Sequence, residues 1–163
     1  MLKTAYLSLG SNVGDRAKNL EAAIAELKKV GEVTAVSSFY ETEPVEFTNQ
    51  PWFLNCAVEL ETDKMPRQLL KAILEIEQSM GRRRAQNKGP RIIDLDILLF
   101  GSSMIDTAGL TIPHPAMQER RFVLMPLAEI AADVRHPRLG KTIREMLDEL
   151  PAGQAVKLVS KPS

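Results

Sequence analysis

Two aspartates, Asp94 and Asp96, stand two positions apart in an otherwise apolar stretch that ends at Phe100. If the stretch is a strand, both carboxylates share one face, with Cα atoms roughly 6.6 Å apart. Like charges about 4 Å apart repel by about 4 kcal/mol at an effective dielectric of ~20, so such a pair favours a cation. Oxygen ligands favour magnesium, completed by phosphate oxygens and water. The alternative for this motif alone is a solvated strand face whose charges limit edge aggregation.

A cluster of basic residues lies directly upstream of the aspartates and consists of Arg82, Arg83, Arg84, Lys88 and Arg91. A second basic pair, Arg120 and Arg121, follows a Pro-His-Pro sequence. Arginine binds phosphate in bidentate fashion and spreads its charge. Alone, such a run is more often a solvated surface. Beside a carboxylate pair that can hold magnesium, it indicates a clamp for a polyphosphate.

The elements that must position these residues follow the order strand, helix, strand, strand, helix, strand. The predicted ranges are 2–9, 15–31, 32–42, 52–61, 66–81 and 92–100, with Asp15 and Pro66 at the helix starts. This order predicts an α+β fold, a ferredoxin-like βαββαβ sandwich with an antiparallel sheet and both helices on one face. A hairpin near Gly101, helices over 122–132 and 142–150, and a loose tail over 151–163 complete one domain spanning 1–163.

Side-chain alternation predicts which strand residues share a face. The apolar sets, expected under the two helices, are Ala5, Leu7 and Leu9; Trp52, Leu54, Cys56, Val58 and Leu60; and Ile93, Leu95, Ile97 and Leu99. Phe53, Asn55, Asp94 and Asp96 then fall together on the opposite face, which we expect to be uncovered. That face is the predicted site.

Composition excludes several other classes of function. Lys plus Arg and Asp plus Glu are each 21 among 163 residues, so no global charge favours nucleic acid or a membrane surface. The single cysteine, Cys56, excludes an internal disulfide and favours a reducing compartment. No apolar run approaches the ~20 residues that span a bilayer, and strand-like sequence begins too early for a signal peptide. We expect a cytoplasmic monomer that acts on small molecules.

Seven stretches, taken in order, resemble one enzyme family. They are Leu9-Gly10-Ser11-Asn12, residues 37–42, residues 50–55, Gly81-Arg82-Arg83-Arg84, Gly89-Pro90-Arg91-Ile92-Ile93-Asp94-Leu95-Asp96, Pro113-His114-Pro115 and Arg120-Arg121-Phe122. In these stretches the chain resembles the 6-hydroxymethyl-7,8-dihydropterin pyrophosphokinases of folate biosynthesis. The resemblance implies transfer of a diphosphate from ATP to the hydroxymethyl group of the reduced pterin, with AMP released.

The resemblance also implies roles for individual residues. Two magnesium ions are expected on Asp94 and Asp96, with Arg82 and Arg91 as further catalytic residues on the transferring phosphates. The implied ATP-binding residues are Glu77, Arg82, Arg84, Arg91, Ile97, Thr111, His114 and Arg120. The implied pterin-binding residues are Thr42, Val45, Phe53, Asn55, Asp94 and Phe122. The chain departs from the family pattern in the basic loop, which is one residue shorter with Lys88 in place of a tryptophan, and at Leu74, Gly109 and Pro115. These departures concern loop closure and nucleotide binding and leave the metal site intact.

Other interpretations stay open for single features. Glu77 could instead form a helix-surface ion pair, Phe122 could be a core residue, and residues 10–15 could be only a tight turn with Asp15 as N-cap. A nucleotidyl transferase is one rival, although its aspartates would follow the Gly-Ser pair far sooner. A ferredoxin-like binding module for RNA or a small effector is the other, although aspartates on the fourth strand repel a phosphate backbone unless a metal intervenes.

Overall fold

The computed structural model describes residues 1–42, 52–81, 91–153 and 155–160. The strands are β1 (Lys3–Ser11), β2 (Glu32–Val36), β3 (Phe39–Thr42), β4 (Phe53–Thr62), β5 (Asp94–Phe100), β6 (Ile105–Thr107), β7 (Leu110–Ile112) and β8 (Val156–Ser160). The helices are α1 (Arg16–Leu27), α2 (Pro66–Ser79), α3 (Arg121–Ala131) and α4 (Ile143–Glu149), with a short 3-10 turn at Met117–Glu119. The fold is therefore a mixed α+β fold, as expected.

Local sequence explains where the helices begin. The Asp15 side chain accepts a hydrogen bond from the Lys18 backbone N–H (3.1 Å), which starts α1. Pro66 occupies the first turn of α2, where a missing N–H costs nothing. In α4, Thr142 and Glu145 exchange side-chain to backbone hydrogen bonds of 3.1 and 2.8 Å.

The main sheet has six strands in the order β5-β1-β4-β3-β8, and β2 also pairs with β4. Its pairings are antiparallel. The predicted strand over 32–42 is thus split in two. The break has a physical cause, because the Ser37 hydroxyl accepts the Ala57 N–H (2.8 Å) and the Ser38 N–H turns to the Glu129 carboxylate (2.9 Å). The hairpin β6–β7 forms a separate two-stranded sheet.

One face of the sheet packs against α1 and α2, as the alternation predicts. The main core is formed by apolar strand residues together with helix residues, among them Leu7, Val58, Leu95, Leu20 and Ile73. Each of these five side chains is essentially inaccessible to solvent. Burying an aliphatic side chain of this size contributes about 1.5–3 kcal/mol, so this face holds the strands in register.

The prediction that the opposite face is uncovered is wrong at one end. There α3 and α4 pack over Tyr6, Ala57 and Leu99 in a second apolar cluster. The alternation also fails locally in β5, because Leu99 belongs to this second cluster and not to the main core. The register shifts between Tyr6 and Leu7, which face Leu99 and Ile97, so Leu98 is an extra residue in β5. Such a bulge reverses the facing of the residues beyond it.

The prediction of a loose tail is wrong for residues 156–160. They form β8, which pairs antiparallel with the outer edge of β3, with Thr42 opposite Val156 and Glu41 opposite Lys157. The unpaired edge of β3 offers backbone donors and acceptors that a returning segment can satisfy, and this partner is not visible in the tail's own composition. Within the described ranges, no helix is both long and apolar enough to cross a membrane.

Candidate active site

One row of residues brings candidate site residues together across β4, β1 and the edge strand β5. Gly10 of β1 lies opposite Asn55 of β4 on one side and Asp94 of β5 on the other. Residues opposite each other in an antiparallel ladder share a face, and neighbouring strands are about 4.8 Å apart. Asn55 and Asp94 are therefore on the same face, about 10 Å apart, separated only by a glycine. The predicted common face of these residues is confirmed.

Gly10 lets the neighbouring side chains approach the central strand closely. A Cβ atom at this position would lie 2.7 Å from Asn55 Nδ2 and 3.5 Å from Phe53 Cδ1. The first distance is shorter than any ordinary contact, so the Asn55 amide occupies the space that a side chain on residue 10 would take. Glycine is required here for close approach and not for an unusual backbone angle.

A buried hydrogen bond fixes the orientation of the Asn55 amide. The Thr42 hydroxyl donates to Asn55 Oδ1 at 2.6 Å, and both residues are buried. The amide NH₂ group therefore faces the space above Gly10 and can donate to a ligand. Phe53, the partner of Thr42 in the β3–β4 ladder, is half-buried next to this group. Thr42, Phe53 and Asn55 thus form one unit.

Arg91, which precedes β5, contacts this unit. Its Nη1 donates to Asp94 Oδ2 at 3.1 Å, and its guanidinium carbon lies 5.9 Å from the centre of the Phe53 ring. Its backbone is held by Asn12, whose Oδ1 accepts the Arg91 N–H at 2.6 Å. The Nε of Arg91 is buried without a hydrogen-bond partner in the part of the chain that the structure describes. A buried guanidinium N–H of this kind favours an incoming anionic oxygen.

Glu77 is buried beneath the aspartate pair, so the interpretation of Glu77 as a residue on the helix surface is wrong. Its side chain is buried, and its Oε2 accepts the Leu95 backbone N–H at 2.7 Å. Leu95 separates Asp94 from Asp96, so Glu77 holds the backbone segment that carries both carboxylates. Its position four residues after Ile73, on the apolar stripe of α2, was the sequence signal for burial.

A cavity of about 590 Å³ lies between the end of α2, β5 and the β6–β7 hairpin. Five of the predicted site residues line it, namely Glu77, Asp96, Ile97, Thr111 and His114. Three of the departures from the family pattern, Leu74, Gly109 and Pro115, line it too. Its remaining lining is largely aliphatic, with Leu70, Ile73, Leu95 and Leu110. An aliphatic cavity with a few polar groups at one end is typical of a small-molecule site.

His114 presents a neutral imidazole to this cavity. Its Nδ1 accepts the Ala116 N–H at 3.1 Å, so in the neutral ring the hydrogen is on Nε2. Burial lowers the pKa of His114, and the nearby Arg120 lowers it further, while Asp94 acts in the opposite direction. The ring is therefore a hydrogen-bond donor through Nε2 at neutral pH.

Arg120 and Phe122 lie together at the start of α3. The Arg120 guanidinium carbon is 5.6 Å from the centre of the Phe122 ring, a cation–π distance. Phe122 is partly buried against the second apolar cluster, so its role as a core contact is also part of the structure. Val45, Arg82 and Arg84 lie outside the described residues.

The two carboxylates are the candidate metal ligands. Asp94 and Asp96 are each half-buried. Among the described residues, no group of three or more His, Cys, Asp or Glu is arranged to hold a metal ion. Magnesium is commonly held by one or two carboxylates together with substrate phosphates, and the donor chemistry of this pair fits that arrangement.

Asn12, which holds Arg91, was quoted only as part of a motif, so sequence reasoning assigned it no role.

The family model for 7,8-dihydro-6-hydroxymethylpterin-pyrophosphokinase (HPPK) matches residues 6–132. The chain therefore belongs to the HPPK family. A relative named 2-amino-4-hydroxy-6-hydroxymethyldihydropteridine pyrophosphokinase from Bacillus subtilis is 50% identical over 82% of this chain and 81% of its own. The protein of the same name from Methylorubrum extorquens is 44% identical over 91% of this chain and 95% of its own.

Other relatives are much longer than this chain. The folic acid synthesis protein fol1 of Schizosaccharomyces pombe is 45% identical over 97% of this chain, which spans only 22% of that protein. Among solved structures, a Plasmodium falciparum HPPK-DHPS triple mutant with SDX-DHP matches with a TM-score of 0.75 and 20% identity, over 91% of this chain and 44% of that one. This structural likeness supports the fold alone.

Proposed function

We propose that this protein transfers a diphosphate group from ATP to the hydroxymethyl group of 6-hydroxymethyl-7,8-dihydropterin, releasing AMP in folate biosynthesis. One observation carries the proposal. The row formed by Asn55, Gly10 and Asp94 joins a cavity that suits a nucleotide to an aromatic and amide unit that suits a pterin. A bisubstrate transfer needs such adjacency, because positioning supplies much of its rate.

The pterin would bind against Phe53 and Asn55. A flat heteroaromatic ring gains stacking energy on a phenyl face, and the Asn55 NH₂ can donate to a ring carbonyl or nitrogen. Thr42 fixes that amide through its 2.6 Å hydrogen bond, and Phe122 would supply the second aromatic face. Val45 is assigned to the same pocket by the family resemblance.

ATP would occupy the cavity lined by Glu77, Ile97, Thr111 and His114. The neutral His114 would donate its Nε2–H to a nucleotide oxygen, while Arg120 supplies positive charge beside it. Arg91, whose buried Nε has no partner in the described part of the chain, would donate to a transferring phosphate. Arg82 and Arg84 are proposed for the same role on the resemblance alone.

Magnesium is the proposed cofactor, with two ions held by Asp94 and Asp96. Bound magnesium would neutralise phosphate charge and polarise the transferring group. The chain's own contribution is to hold the two carboxylates in place: Arg91 bonds to Asp94 at 3.1 Å, and Glu77 fixes the Leu95 N–H between them. Binding of both substrates over this region would exclude water from the transferring group.

Finer features belong to the same proposal. The strand order β5-β1-β4, followed by β2 and β3 on one edge, supports a ferredoxin-like arrangement of the first five strands. We also propose a single domain that works as a cytoplasmic monomer without nucleic acid or membrane partners. The buried free thiol of Cys56, with its pKa raised by burial, suits a reducing compartment.

The test is an assay of AMP release with ATP and magnesium, with and without the reduced pterin. We expect AMP only when the pterin is present, in a one-to-one ratio with diphosphorylated pterin. Release of inorganic diphosphate in place of AMP would indicate nucleotidyl transfer. Absence of ATP turnover under these conditions would favour the binding-module alternative.

A further inference from the structure

The turn that runs from the last residue of β1, Ser11, to the first residue of α1, Arg16, makes contacts on two sides of the candidate site. It is held rigid by Asn19, whose Nδ2 donates to Ser11 Oγ at 3.1 Å and to the Val13 carbonyl at 2.8 Å. At one end Asn12 fixes the Arg91 backbone through two hydrogen bonds of 2.6 and 3.0 Å. The turn is thus a rigid support next to the candidate site.

At its other end this turn carries Arg16, which reaches two separate strands. Its Nη1 donates to the Trp52 carbonyl at 2.8 Å, and its Nη2 donates to Glu41 Oε2 at 3.2 Å. Glu41 directly precedes Thr42, and Trp52 directly precedes Phe53. Arg16 therefore grips the chain at both neighbours of the pterin candidates.

Arg16 binds the two strands at the end of the β3–β4 ladder. Thr42 and Phe53 are opposite each other in the last pair of the β3–β4 ladder. The terminal pair of a ladder is supported by pairing on one side only, so it opens more readily than an interior pair. A fork that binds both strands at this point opposes that opening. Lys157 of β8 adds to it, with its Nζ 5.8 Å from the centre of the Trp52 ring.

We propose that Arg16 is a positioning residue for the pterin subsite. It keeps the Thr42–Phe53 pair closed, so that the Thr42 hydroxyl holds the Asn55 amide and the Phe53 ring stays beside it. The inference rests on the proposed function for the identity of the ligand. Its structural part, the closed end of the ladder, is independent of that function.

Arg16 can be replaced without disturbing the core. Its side chain is 29% exposed and borders a cavity of about 530 Å³, outside the two apolar clusters. Arg16→Lys keeps the charge but replaces the planar fork by a single ammonium group, which does not reproduce the paired geometry. Arg135→Lys is the matched control, because Arg135 also donates to a backbone carbonyl, that of Gly140, at an exposed position away from the site.

The first measurement compares the affinities for the two substrates, using the reduced pterin and a non-hydrolysable ATP analogue. For Arg16→Lys we expect pterin affinity to fall about 10-fold, on the scale of a hydrogen bond to a charged group, and nucleotide affinity to change less than about 2-fold. Arg135→Lys should change neither. Pterin affinity equal to that of the control, or an equal loss for both ligands, would overturn the proposal.

The second measurement needs no ligand. Hydrogen exchange of the Phe53 and Asn55 amides, which face β3 because the Ala57 amide on the same side of β4 donates to Ser37, should be faster in Arg16→Lys than in the unmodified protein and unchanged in Arg135→Lys. Unchanged exchange in Arg16→Lys would overturn the inference even if the unmodified protein releases AMP. Faster exchange in a protein that releases no AMP would instead refute the proposed function and the pterin assignment together, while keeping the closed ladder end.

Glu41→Gln separates the two halves of the grip, because it removes the carboxylate charge and leaves the Trp52 carbonyl in place. We expect an intermediate loss of pterin affinity. In the double variant Arg16→Lys with Glu41→Gln, the loss should be smaller than the product of the single losses, because both changes act on one contact. Losses that multiply fully would show that Arg16 and Glu41 act separately and would contradict the proposed grip.

Discussion

The two ends of one sheet face differ sharply in what the same three strands carry. At the packed end, Tyr6, Ala57 and Leu99 lie under α3 and α4 in an apolar cluster. At the site end, β1, β4 and β5 carry Gly10, Asn55 and Asp94 in one row. The distance between the two ends is only a few residues along each strand. The change from apolar to polar therefore occurs within single strands.

The packed end of the sheet face contributes mainly to stability, whereas the site end carries the groups proposed for the reaction. The packed end gains about 1.5–3 kcal/mol for each large apolar side chain that it buries. The site end holds two carboxylates whose mutual repulsion is unfavourable without a cation and a glycine that adds no packing. The packed end keeps the strands in register, so the site end can hold groups that would not order themselves. Substitutions at the two ends should consequently affect different measurements.

The largest expected effect is at the site end. Asp96→Asn keeps the shape of the side chain and removes its charge, so a bound cation loses a fixed negative ligand. We expect the rate of AMP release to fall by about 10³-fold, while both apolar clusters, to which Asp96 does not belong, stay intact. The matched control is Asp106→Asn in the exposed part of β6, which should leave the rate unchanged. A rate within 10-fold of normal for Asp96→Asn would contradict the metal role.

The next effect belongs to the packed end. Leu99→Ala leaves a cavity where a fully buried side chain stood, and we expect the free energy of unfolding to fall by about 2–5 kcal/mol. Pterin affinity of the folded protein, measured below the unfolding transition, should stay within about 2-fold. Leu158→Ala, at a 56% exposed position of β8, serves as the control and should cost far less. A loss of pterin affinity in Leu99→Ala without a loss of stability would reverse the comparison.

The amino-acid sequence predicts the site end better than the packed end. Simple alternation in β4 and β5 was enough to bring Asn55 and Asp94 to one face. Leu99 was assigned to the wrong face, because one extra residue at Leu98 shifts the register and nothing in a run of leucines marks a bulge. The strand β8 was missed for a related reason, since its partner is the distant edge of β3. Both errors concern long-range pairing, to which local patterns are blind.

Glu77 and Gly10 show the same limit within the site. The family resemblance supplied Glu77 as a nucleotide-side residue, whereas the structure adds a hydrogen bond to the Leu95 N–H that no local pattern specifies. Gly10 was quoted only as part of motifs and was assigned no role of its own. Its importance comes from the Asn55 amide on the neighbouring strand, 45 positions away.

Gly10→Ala tests whether the space above the central strand matters. The new Cβ would lie 2.7 Å from Asn55 Nδ2, so the amide must move against its hydrogen bond from Thr42. We expect pterin binding to weaken by about 1–3 kcal/mol, the cost of disturbing one buried polar group, with ATP-analogue binding little changed. Gly153→Ala is the control, because among the described residues other than its chain neighbours no atom lies within 4 Å of the added Cβ. Unchanged pterin binding in Gly10→Ala would place the pterin elsewhere.

The smallest effect is a dependence of stability on pH. The chain has two histidines: His114 in the site cavity and His136 in the loop between α3 and α4, whose Nδ1 accepts the backbone N–H groups of Arg138 and Leu139 at 3.2 and 3.1 Å. Burial lowers the pKa of both rings, and nearby arginines lower it further. In the unfolded chain both histidines have a pKa of about 6.5, so the unfolded chain binds more protons than the folded protein as the pH falls through about 6.5. The contribution of the two histidines to the free energy of unfolding should therefore be fully present above about pH 6.5 and decline below it.

Denaturant unfolding at pH 7.5 and pH 5.5 separates the two rings. His136→Gln should reduce the decline in unfolding free energy between these pH values and leave AMP release unchanged at pH 7.5. His114→Gln should also reduce the decline but slow AMP release, because it removes the Nε2 donor from the cavity. A decline as steep in both variants as in the unmodified protein would assign the pH dependence to other groups. Equal loss of activity in both variants would mean that His136, in the loop between α3 and α4, is coupled to the reaction. The two ends of the sheet face would then not separate stability from chemistry.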